Sequence, residues 1–137
     1  MQTGWLQLSL ATLILWGLWG FFAKIVLNSV NWRSLFLFSA VGSIFFTAIF
    51  FVFAKPPLAF NMQTCSAMLV GIMGVGASMT FYYALEQGKV SIVVPLTAMY
   101  PLVTVILAAV VLREKLSPTQ GIGVLLAIAA ILLISIG

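Results

Sequence analysis

The chain has 137 residues, of which 64% are hydrophobic and only 6% charged, and its formal net charge is +4. A soluble helix needs a polar face to meet water, whereas here long stretches are apolar all round, so hydrocarbon is the solvent and a water-soluble domain is excluded. The six Lys and Arg stand singly between apolar runs, which excludes a nucleic-acid patch and a polybasic lipid site; a lone Cys65 and the absence of His exclude a disulfide framework, a metal set and imidazole chemistry, so no cofactor is expected.

Charged and turn residues divide the sequence into five apolar segments, Trp5 to Leu27, Ser34 to Ala54, Met62 to Leu85, Val90 to Leu112 and Pro118 to Ile136, each able to cross a bilayer. The expected fold class is an all-α membrane protein of five transmembrane helices in a single domain over residues 1–137. Met1-Gln2-Thr3-Gly4 lacks the positive stretch of a signal peptide, so the first apolar run reads as a membrane span.

On the first segment Thr12, Trp16, Gly20 and Lys24 recur every four residues and share a stripe. Lys24 there would attract an anionic group such as a carboxylate, with the Trp16 ring beside it; the alternative is a Lys that snorkels to the interface. Asn31 precedes the second segment and Lys55-Pro56-Pro57 ends it. Within it Ser39, Ser43 and Thr47 repeat every four residues, opposite a wall of Phe38, Phe45 and Phe53 that faces lipid. Those hydroxyls either bond their own backbone or reach across to a neighbouring helix.

The third segment, preceded by Asn61 and followed by Gly88, carries Gly71, Gly74, Gly76 and Ala77, which admit close approach of another backbone, then Ser78, Tyr82, Tyr83 and Glu86. Gly74, Ser78 and Tyr82 share a face that lines a cavity or a close contact; the two Tyr serve equally as an interfacial belt. The fourth segment places Pro95 and Pro101 in mid-span as candidate hinges, with Thr97, Tyr100 and Thr104 on nearly one face. Each Pro removes a backbone hydrogen bond and bends the helix, and freed carbonyls are tolerated in a membrane only in contact with protein or a wet cavity; the alternative is a static kink. Ser117-Pro118-Thr119-Gln120 predicts a capping box with Pro in the first helical position. On the fifth segment Gly123, Ala127 and Ala130 form a small-residue face, a candidate seam between two subunits.

Five spans put Lys24, Arg33 and Lys89 on one side of the membrane and Lys55, Arg113 and Lys115 on the other. Three against three is almost no positive-inside bias, which permits insertion in either orientation; two opposed copies would build an inverted-repeat transporter from one chain. The alternative is a weakly specified single orientation.

The strings LILWGLWGFFAK in the first segment and YYALEQGKVSIVVPLTAMYPLVTVILAAVVLREKLSPTQGIGVLLAI toward the end resemble the EamA domain of the drug/metabolite transporter superfamily. Most such proteins carry two five-helix domains in tandem, inversely oriented around a central cavity, and move amino acids, other metabolites or drugs, often outward. The resemblance therefore implies an EamA-like half-transporter that pairs as a homodimer, antiparallel if orientation is dual, in a bacterial inner (plasma) membrane, with a small-molecule substrate and no enzymatic activity. It implies that helices one to four line the cavity, with Lys24, Tyr100 and Pro101 at matching positions, and that the fifth helix is peripheral or at the seam. Glu114 matches an acidic position after the fourth helix and is expected as a structural ion at the start of the fifth. The related small multidrug resistance proteins use a Glu in the first helix for proton coupling, and this chain has none there, so uniport or exchange is the simpler expectation. Two rival readings are a membrane adapter that transports nothing and one half of a heterodimeric transporter.

Overall fold

The computed structural model describes residues 4–56, 59 and 61–136; Met1 to Thr3 and Pro57, invoked above for the first span and for the stop after the second, lie outside them. Among the described residues all regular structure is helical: α1 (Gly4–Leu27), α2 (Trp32–Ala54), α3 (Met62–Gln87), α4 (Val90–Thr97), α5 (Tyr100–Val111) and α6 (Pro118–Ile136). Helix prevails because lipid offers no partner for backbone amides, so each segment must satisfy its own. Gly4–Leu27, Trp32–Ala54, Met62–Gln87 and the combined stretch Val90–Val111 are long and apolar enough to cross a membrane. The 19 residues of α6 make about 28 Å of helix, close to the hydrocarbon thickness of about 30 Å. The chain is an all-α integral membrane protein of about five spans.

The boundaries follow local chemistry. The Asn31 side chain accepts the Ser34 N–H at 2.9 Å, which makes Trp32 and Arg33 the first turn of α2 and starts that helix two residues before the expected Ser34. Asn61 and Thr64 cap α3 reciprocally, Thr64 N–H donating to Asn61 Oδ1 and Asn61 N–H to Thr64 Oγ1, both at 2.9 Å. The box before α6 forms as its sequence predicts: Gln120 N–H donates to Ser117 Oγ at 3.2 Å and Ser117 N–H to Gln120 Oε1 at 2.7 Å. At two helix ends a long basic residue takes the left-handed conformation normally left to Gly, Lys55 at φ 43° and Arg113 at φ 57°.

The fourth span differs from the expected bent helix. It is two helices, with Ala98 and Met99 in a turn between α4 and α5. Around the turn the bonding shortens, Met99 N–H donating to Leu96 O at 3.2 Å and Leu102 N–H to Met99 O at 2.8 Å. Pro101 can offer no N–H to the Thr97 carbonyl, and it sits instead in the first turn of α5, where a missing donor costs nothing. Pro95 remains inside α4.

Residues 1–87 and 88–137 form two compact units. In the first, α3 packs on both α1 and α2, and the tightly packed side chains fall at one end: Ala23, Tyr82 and Leu85 are 5%, 2% and 0% exposed, and Gly20 is buried with them. Toward the other end, residues 4–19 of α1, 41–54 of α2 and 62–77 of α3 are all exposed. Exposed Leu and Phe are no anomaly here, because a side chain gains no transfer free energy by leaving lipid for a protein neighbour. In the second unit α4 packs on α6.

Candidate functional site

Among the described residues two groups of side chains carry chemistry, one in each unit. In the first unit, the end of α3 meets α1 and the start of α2. Lys24 Nζ donates to the carbonyl oxygen of Leu85 at 2.6 Å, and Glu86 Oε1 accepts the backbone N–H of Trp32 at 2.9 Å. Both contacts suit the helix dipoles: an ammonium lies at the carbonyl end of α3 and a carboxylate at the amide end of α2. Around them aromatic rings close the gaps. Trp19 stacks on Phe81 with centroids 5.0 Å apart and planes at 17°, and touches Tyr82 at 5.5 Å. Trp32 packs on Tyr83 at 5.3 Å and carries the Arg33 guanidinium 5.5 Å from its ring centre.

The structure thus brings Gly20, Lys24 and Tyr82 to the packed end of this unit. Trp16 lies one turn of helix before Gly20 and is exposed, and Ser78, half-buried, donates to Gly74 O at 3.0 Å. The substrate role expected for Lys24 meets a competing use, since its ammonium holds a helix end. The hydroxyls of Ser39, Ser43 and Thr47 donate to Phe36, Ser39 and Ser43 carbonyls at 2.8–2.9 Å, so they serve their own helix and reach no neighbour. Beside them Ser43, Ile44, Thr47, Ala48, Phe51 and Val52 line a trough of about 550 Å³ along α2. A Cβ added at Gly71, Gly74 or Gly76 would meet nothing within 4 Å, so the small face of α3 is open.

Sequence reasoning missed Trp19, Trp32, Phe81, Leu85 and the role of Glu86. One signal was present. A carboxylate in the last turn of a helix is opposed by the helix dipole, so Glu86 at the end of α3 called for a partner outside it, and the amide end of another helix is a natural one.

In the second unit the group is built on the α4–α5 break. Thr97 Oγ1 donates to Val93 O at 2.8 Å and Val94 O at 3.0 Å, and Thr104 Oγ1 to Tyr100 O at 3.4 Å. The face expected to join Thr97, Tyr100 and Thr104 is interrupted, because the turn puts Thr97 in α4 and the other two in α5. Gly123 and Ala127 of α6, with Ala98, Met99, Pro101, Leu102 and Val105, line a cleft of about 240 Å³ at the break, while Ala130 is exposed and outside that lining. The small residues therefore leave room where backbone is irregular. Glu114 follows α5: its N–H donates to Ala108 O at 3.2 Å as part of the α5 stop, and its side chain is exposed. At the start of α6 the Gln120 N–H is served by Ser117 Oγ, and the Ser117 N–H just before the helix by Gln120 Oε1.

An apolar chain whose fourth span is discontinuous fits a carrier, and comparison decides the family: the model of the EamA-like transporter family matches residues 3–136. The chain belongs to the EamA-like transporter family. This EamA-like protein is also similar to an uncharacterized protein of Methanocaldococcus jannaschii, 34% identical over 129 residues that cover 94% of each chain. No solved structure matches it.

Proposed function

We propose that this EamA-like chain is a subunit of a small-metabolite transporter, probing an amino-acid-like or drug-like substrate by alternate exposure and moving it outward by uniport or exchange. The observation that carries the proposal is the break between α4 and α5 inside the membrane-length stretch Val90–Val111. Irregular backbone at membrane depth survives only in contact with protein or a wet cavity, and in carriers discontinuous helices form the substrate site. Thr97, Tyr100 and Thr104 would supply polar contacts there and Pro95 and Pro101 the flexing points; in the first unit the proposed pathway residues are Lys24, Trp16, Gly20, Ser78 and Tyr82.

The subunit works as a homodimer in a bacterial inner membrane. One feature supports pairing: the near-equal distribution of basic residues between the two sets of loops. Gly123, Ala127 and Ala130 are the proposed seam. The test is orientation. A periplasm-active and a cytoplasm-active reporter fused after the last residue should both give strong signal if opposed copies coexist. A single active reporter removes the antiparallel homodimer and leaves a parallel pair, a different oppositely oriented partner, or an adapter.

A further inference from the structure

Among the described residues the first unit is packed at one end and exposed at the other. Its interhelical hydrogen bonds, Lys24 to Leu85 O and Trp32 N–H to Glu86, lie at the end where Gly20, Ala23, Tyr82 and Leu85 are buried. So do its contacts between rings of different helices, Trp19 with Phe81 and Tyr82, and Trp32 with Tyr83. At the other end an added Cβ on the glycine face of α3 would meet nothing within 4 Å among the described residues, and α2 presents an exposed trough.

We propose that the packed end is a gate and that the Glu86 carboxylate on the Trp32 N–H is its latch. The word gate rests on the transporter reading given above; the latch does not. Several features make the contact releasable. The Asn31 side chain already caps α2 through Ser34, so α2 keeps its first turn when Glu86 lets go. Only one backbone donor changes partner, and at a helix terminus near the membrane boundary water can replace the carboxylate. The α1–α2 connection is a short turn in which Asn28, Ser29 and Val30 N–H groups bond back to Ile25 and Val26, so α1 and α2 stay joined while α2 moves against α3. Lys24 holds α1 to α3 independently of Glu86, so release of the latch leaves that pairing intact and loosens the start of α2, which then rests on α3 through the Trp32–Tyr83 contact.

The experiment is thiol accessibility in the full chain, reconstituted in nanodiscs so that both faces are in water. Cys65→Ser removes the lone cysteine, and Ala23→Cys places a thiol in the packed end. A membrane-impermeant maleimide should label Ala23→Cys slowly, and Glu86→Ala should raise that rate by about tenfold, the scale of losing one hydrogen bond to a charged group. Glu86→Gln keeps an oxygen for the Trp32 N–H and should give a smaller rise; it serves also if the Ala variant folds poorly. Glu114→Ala removes the other acidic residue and should change nothing. An unchanged rate in both Glu86 variants overturns the latch, as does an equal rise in Glu114→Ala, which would mean general loosening. Accelerated labelling in a protein that transports nothing in vesicles would leave the latch standing and remove the transporter reading.

Discussion

Lys24 in α1 donates to the carbonyl of Leu85 in α3 at 2.6 Å, sixty-one positions along the chain, and the next residue, Glu86, takes the Trp32 N–H of α2 at 2.9 Å. Two consecutive positions of α3 thereby tie three helices, the carbonyl end of one to a cation and the amide end of another to an anion. In lipid, where apolar burial contributes no transfer term, such bonds and close packing are what remain to hold helices together.

Lys24→Met should therefore lower stability by about 1.5–3 kcal/mol, the usual range for a hydrogen bond to a charged group. Lys55→Ala removes the same charge from an exposed residue whose cap is made by its backbone, N–H to Phe51 O at 3.1 Å, and should change stability little. Unfolding of the purified protein in mixed detergent compares the two. Equal losses would assign the effect to net charge and would refute the role given to the Leu85 contact.

The left-handed residues predict a gain. Lys55 and Arg113 hold φ values of 43° and 57°, which for a residue with a Cβ costs about 1–2 kcal/mol. Glycine is free of that cost but loses more chain entropy, so Lys55→Gly and Arg113→Gly should each stabilise by up to about 1 kcal/mol. A loss in the same unfolding assay would show that the basic side chain does more than end the helix.

Much of this architecture was legible in the residues, and the failures share a cause. Composition and punctuation located the spans because hydrocarbon thickness dictates segment length, and Asn31, Asn61 and the Ser117–Gln120 box marked helix starts because caps are local chemistry. The Pro pair signalled irregularity in the fourth span, but bend and break differ by whether Ala98 and Met99 keep the ladder, which periodicity does not encode. The Lys24 and Glu86 pairings were hidden because each joins a side chain to a backbone group more than fifty positions away, and backbone groups leave no mark in the sequence. The hydroxyl stripe of Ser39, Ser43 and Thr47 left own backbone and neighbouring helix both open, and it is local, since an i−3 or i−4 carbonyl is always in reach on a helix.

The α6 cap gives a local test. Ser117→Ala removes the oxygen that accepts the Gln120 N–H and should cost about 1 kcal/mol. Ser117→Asp keeps an acceptor beside a helix amide end and should restore most of it. Pro118 occupies the first helical position and has no N–H, and the Gly121 N–H reaches the Ser117 carbonyl, so the box serves the Gln120 N–H, whose hydrogen exchange should accelerate in Ser117→Ala alone.

The break between α4 and α5 supplies the functional test. Pro95→Ala restores a donor for the Ser91 carbonyl, and Pro101→Ala one for Thr97, so the double variant can run its ladder unbroken from Val90 to Val111. Amides from Ala98 to Leu102 should then exchange more slowly, and thermal stability should rise or hold. If the break is where a substrate is met and where the span flexes, a re-formed backbone bond stabilises the resting state against motion. About 1.4 kcal/mol added to the barrier slows transport about tenfold. Each single variant should fall between the wild type and the double variant in both exchange and transport, because each restores one of the two missing donors. Slower exchange with undiminished transport would make the break a packing device that accommodates Gly123 and Ala127 at the cleft, and the pathway would have to be sought on the open face of α3.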